Sequence, residues 1–137
     1  MIIYFCIFVL IYSVIEFIYL TITHKFYKTH LAKIQNINNE NVKIQMFPYG
    51  ILTYIILFIT IWYFIIHDIF NGNNLKIKNI ITKATLFALA IYGVYNLTNA
   101  ATINKYNIRV IIQDILWGII AINTVSIICY WIKIKFI

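Results

Sequence analysis

Glu16 and Asp114 stand where carboxyls are costly. Both lie inside runs of Ile, Leu, Phe and Val, while the chain's other two acidic residues, Glu40 and Asp68, fall in connecting segments. An ionisable side chain within an apolar run needs a physical reason, such as handling a proton or a polar solute, or a partner that satisfies it. A carboxyl that keeps its proton in such surroundings can donate a hydrogen bond or pass that proton on. The stretch from Tyr92 to Gly118 supplies partners. It gathers Tyr92, Tyr95, Asn96, Thr98, Asn99 and Thr102, then Asp114 and Trp117, in a sequence that is otherwise almost continuously apolar. These eight residues and Glu16 are the candidate binding site. No residue is assigned a catalytic role.

The elements that must position these groups follow from composition. The 137 residues are 63% hydrophobic with a mean hydropathy of +0.86, far above the ~45–50% apolar content of soluble domains. The expected fold is an all-α integral membrane four-helix bundle in one domain, residues 1–137. Its spans fall at approximately 1–23, 47–67, 84–102 and 108–132, each long enough at ~1.5 Å per residue to cross most or all of a ~30 Å hydrocarbon core. The first run lacks a basic start and a small-residue cleavage site, so it reads as a helix rather than a leader. Residues 24–45 form a polar interfacial connector with room for an amphipathic turn or two. Pro48 suits a helix start, and the NGNN run at 71–74 is a turn signal. The second span carries little polarity beyond Thr53 and Thr60 and is expected to face lipid.

Four alternating crossings put the polar groups at one depth. Glu16 falls late in the first span, Asn96 to Thr102 late in the third, and Gln113 and Asp114 early in the fourth, so all lie nearer the face of the first connector. Spacing supplies a face for each helix: Tyr12, Glu16, Tyr19 and Thr23; Tyr92, Asn96 and Asn99; Asp114, Gly118 and Ala121. In lipid such faces turn inward, because exposed amides and carboxyls lack partners there. Gly118 and Ala121 would let a neighbouring backbone approach.

Other chemistries are poorly served. The net charge of +7 comes from lysines between and at the ends of apolar runs, where headgroups sit, with no basic helix face for nucleic acid. The first and third connectors hold six Lys and Arg against five in the second connector and tail, too even a split to orient the chain. Cys6 and Cys129 lack metal-ligand spacing and read as small core residues, and His24 and His30 are six apart with no HxxxH box, so no metal is expected. His67-Asp68 reads as a helix end at an interface. No glycine-rich phosphate loop occurs, and no cofactor is implied.

The run Tyr92-Gly93-x-Tyr95-Asn96-x-Thr98-Asn99-x-Ala101-Thr102, followed by Asp114-x-x-Trp117-Gly118, resembles the bacterial predicted-membrane-protein family catalogued as domain of unknown function 2177. Glu16, Tyr19 and Phe26-Tyr27 are similar as well. The resemblance covers nearly the whole chain and implies four membrane helices without implying an activity. The family usually has Asp at position 96, Trp at 19 and 106, and Pro at 107, so this chain holds an amide where the family pattern has a carboxyl. Three functions fit these residues: small-solute or proton-linked transport, as a homo-oligomer because four helices enclose little lumen; an enzyme embedded in the membrane and acting on a lipid or apolar substrate; and a structural or assembly protein. The lipid bilayer is the one partner that all three share.

Overall fold

A computed structural model describes residues 1–42, 47–72 and 76–136. Lys43, Gln45 and two residues of the expected turn, Asn73 and Asn74, lie outside the described residues. Four helices are long and apolar enough to cross a membrane: α1 (Ile2–Gln35), α2 (Pro48–Asn71), α3 (Ile77–Thr102) and α4 (Ile108–Phe136). No strand occurs among the described residues. This is an all-helical membrane protein.

α4 is the central helix and packs against each of the other three. The cause is visible in its sequence. Gly118, Ala121, Ile122, Val125, Ser126 and Cys129 recur at helical spacing and are all buried, so small side chains let neighbouring backbones close in. An aromatic seam joins α1 to α2. The Phe8 ring meets Phe58 edge-on at 6.2 Å, Tyr12 meets Phe58 at 5.7 Å, and Tyr4 stacks on Phe70 at 4.4 Å. Elsewhere Ile and Leu point outward in large numbers, as expected where the solvent is hydrocarbon. Cys6 is among these outward residues and only Cys129 is buried, which corrects the reading of both as core. α2 faces outward over much of its length, with Ile51, Leu52, Ile55, Ile56 and Ile59 exposed as expected, while Ile61, Ile65, Ile66, Ile69 and Phe70 near its end are buried.

α1 runs 34 residues, about 51 Å at ~1.5 Å per residue, and therefore reaches beyond a ~30 Å core. Residues 24–35, expected as a connector, continue the helix because Ala32 and His30 remain on its packed face. Asn36 ends it in the left-handed conformation, at φ 53°, with its N–H bonded to the Ala32 carbonyl. α4 begins at a side-chain cap, the Asn107 Oδ1 accepting the Arg109 N–H at 2.9 Å, as capping asparagines do.

α2 and α3 each contain one π turn, at Trp62–Ile66 and Leu89–Gly93. At the face opposite the first connector, Lys83 Nζ donates to Asp68 Oδ2 at 2.5 Å, joining the ends of α2 and α3. Lys133 donates to the Gly72 carbonyl. Both Asp68 and Lys83 are about half exposed, and such pairs contribute little. Lys83→Gln is expected to lower stability by less than ~1 kcal/mol, measured by thermal denaturation in detergent.

Candidate functional site

Asn96 sits at the centre of the polar groups, completely buried. Its Nδ2 donates to the Tyr92 carbonyl and to Asp114 Oδ2, each at 2.9 Å. Its Oδ1 accepts from the Tyr106 hydroxyl at 2.8 Å. Every polar atom of this amide is thus engaged, and α3 is tied to α4 and to the segment between them. The other Asp114 oxygen accepts from the Tyr27 hydroxyl on α1 at 2.7 Å. One carboxyl therefore joins three parts of the bundle.

The chain of hydroxyls continues from there. Tyr27 and Tyr19 share a hydrogen bond of 2.6 Å, and Gln113 Nε2 donates to the Tyr19 hydroxyl at 3.2 Å. The Tyr19 ring lies flat on Trp117, centroids 3.9 Å apart and planes 3° from parallel. Trp117 Nε1 donates to Glu16 Oε1 at 3.0 Å. Glu16 is buried, and the Tyr12 and Tyr54 hydroxyls lie beside it. Tyr12 in turn shares a hydrogen bond of 3.1 Å with Tyr92. Asp114 and Trp117 are three residues apart on α4, so the two carboxyls are held from neighbouring positions on one helix face.

Close packing fixes the Tyr92 ring. A Cβ at Gly118 would stand 2.2 Å from Tyr92 Cδ2, so only hydrogen fits between the α4 backbone and that ring. Tyr92 lies within the π turn of α3, and its hydroxyl reaches Tyr12 on α1.

The nine sequence-chosen residues divide. Glu16, Tyr92, Asn96, Asp114 and Trp117 come together in the hydrogen bonds above. Asn99 is half-buried beside Tyr106. Tyr95 is 59% exposed and Thr98 also faces outward. Thr102 is exposed too, its hydroxyl donating back to the Thr98 carbonyl on its own helix. These three do not join the group.

Sequence reasoning left out Tyr12, Tyr19, Tyr27, Tyr106 and Gln113 as site residues. The signal for Tyr27 was present, since Tyr12, Glu16, Tyr19, Thr23 and Tyr27 form one continuous helical stripe. A span ended at Thr23 cut it short. His30 extends the same face: it is buried, meets Tyr106 edge-on at 4.9 Å, and neither ring nitrogen has a partner among the described residues. A second polar contact also passed unnoticed, Asn123 Nδ2 donating to Thr85 Oγ1 at 3.0 Å between α4 and α3. No cluster of three or more His, Cys, Asp or Glu that could hold a metal occurs among the described residues.

The family model described as "Predicted membrane protein (DUF2177)" matches residues 1–131, and the chain belongs to that family. No curated protein and no solved structure matches it.

Proposed function

We propose that this multi-pass member of the DUF2177 family is a proton-linked membrane protein whose working part is the carboxyl pair Glu16 and Asp114 with the tyrosines around it. One observation carries the reading. Asp114, Tyr27 and Tyr19 form an unbroken run of oxygen atoms with successive separations of 2.7 and 2.6 Å. Such a run can move a proton with no carbon bond altered: each hydroxyl accepts a proton from one neighbour and releases its own to the next. Tyr27, the middle member of the run, lies towards the face of the first connector, in the part of α1 that outlasts the apolar run. Glu16 stands apart from this run as a second carboxyl, held by the Trp117 N–H and flanked by Tyr12. Ionisable groups inside membrane segments commonly mark such relays.

Proteoliposomes loaded with a pH-sensitive dye test this. The wild type is expected to dissipate an imposed pH gradient faster than empty vesicles, and Asp114→Asn to slow it about a hundredfold or more, the low end of what is lost when a proton-transfer group is removed. Wild-type vesicles no faster than empty ones, or Asp114→Asn matching the wild type, would remove the proposal.

A second reading is favoured by the complete use of Asn96. In it the cluster serves assembly, knitting α1, α3 and α4 together with interhelical bonds of about 1 kcal/mol each. That reading expects the same variants to change stability in detergent with no flux to lose.

A further inference from the structure

A groove of about 420 Å³ runs down the outside of the α1–α4 seam, lined by Tyr19 of α1 and by Arg109, Ile112, Gln113, Leu116, Trp117 and Ile120 of α4. The α4 residues recur at three- and four-residue intervals and so form one continuous strip. From Arg109 to Ile120 the strip descends about 16 Å at ~1.5 Å per residue, close to half of a ~30 Å hydrocarbon core. Its length is that of one leaflet.

The chemistry changes along the groove as a lipid's does. Arg109, the only arginine of the chain, is exposed in the first turn of α4, and its guanidinium makes no ion pair or hydrogen bond among the described residues. Lys105 precedes it in the adjoining segment, its ammonium bonded to the neutral Asn36 Oδ1, so a second cation lies close by along the chain. Below Arg109 the polar donors are occupied. Gln113 Nε2 is spent on the Tyr19 hydroxyl and the Trp117 N–H on Glu16. What remains facing outward is the stacked Tyr19–Trp117 pair and three aliphatic side chains, Ile112, Leu116 and Ile120, each more than half exposed.

We infer that this groove is a binding site for an anionic phospholipid, with one phosphate oxygen pair on the Arg109 guanidinium and one acyl chain along Ile112, Leu116 and Ile120 over the Tyr19–Trp117 face. A guanidinium matches a phosphate with two parallel hydrogen bonds, and the aliphatic strip beneath it suits hydrocarbon. The groove shares Tyr19, Gln113 and Trp117 with the hydrogen-bond network and lies on their outer side, and the assignment holds whether or not that network moves protons.

Native mass spectrometry of the detergent-purified full chain tests it, with phosphatidylglycerol, phosphatidylcholine of the same acyl chains, and inorganic phosphate as probes. The wild type is expected to retain phosphatidylglycerol at least about fivefold more strongly than phosphatidylcholine, the effect of one cation at a membrane surface. Arg109→Gln is expected to abolish the preference. Leu116→Trp, which fills the groove from an exposed position, is expected to reduce retention of phosphatidylglycerol while its melting temperature stays near that of the wild type. Millimolar phosphate is expected not to displace the lipid. Equal retention of the two lipids by the wild type, an undiminished preference in Arg109→Gln, unaltered retention in Leu116→Trp, or complete displacement by free phosphate would each overturn the assignment.

Discussion

Gly118→Ala is expected to cost about 3 kcal/mol or more of stability in detergent, at the upper end of what overpacking a core usually costs. The added methyl would lie 2.2, 2.5 and 2.6 Å from three carbons of the Tyr92 ring, well inside van der Waals contact. The ring cannot swing away freely, because its hydroxyl is bonded to Tyr12 on α1 and its backbone belongs to the π turn of α3. Relief requires α3 and α4 to separate or the Tyr12 contact to break. Gly93→Ala is the internal control. A Cβ there meets nothing within 4 Å, and alanine is the better helix former, so this change should be neutral or slightly stabilising. Thermal or denaturant unfolding of both variants measures the difference. In the Tyr92→Ala background, Gly118→Ala should lose most of its cost, a coupling that a double-mutant cycle reads directly. Equal stability of Gly118→Ala and the wild type would show that the ring does not constrain that position.

Asn96→Leu is the second large effect. Leucine fits the volume but leaves Tyr106 without its acceptor and Asp114 Oδ2 without its donor. Orphaned buried groups cost about 1–3 kcal/mol each, and in a bilayer the lower end applies because interhelical bonds average ~0.6 kcal/mol. The expected loss is therefore about 2 kcal/mol, read by unfolding in detergent. Asn96→Asp separates geometry from hydrogen bonding. It keeps an acceptor for Tyr106 but places a second carboxyl against Asp114, so the contact survives only if the two share a proton. Asn96→Leu as stable as the wild type would show that the amide ties nothing together.

Much of this was readable from residue types and spacing. The four apolar runs predict four helices because hydrocarbon leaves a backbone few other ways to satisfy its polar groups. The meeting of Glu16, Asn96 and Asp114 follows from counting depth through alternating crossings. The misses have physical causes as well. Tyr27 lies beyond the apolar run, and hydropathy gives no sign that the helix carries on past its lipid-facing part. Tyr95 and Thr98 sit next to Asn96 in sequence, but an α-helix turns neighbours about 100° away from one another, so closeness along the chain did not make them members. The Trp117–Glu16 bond depends on which way an indole edge points, and no periodicity encodes that.

The wide turn at Leu89–Gly93 has a consequence for how α3 responds to change. A turn of this kind accommodates one residue more than a regular helix would, so the rod is phased differently above and below it. The upper portion, with Ala84 and Ala88 buried, and the lower portion, which delivers Asn96, both pack against α4. The collar between them lets each half keep its own angular setting, so a shift in how one end seats need not rotate the amide out of reach of its carboxyl.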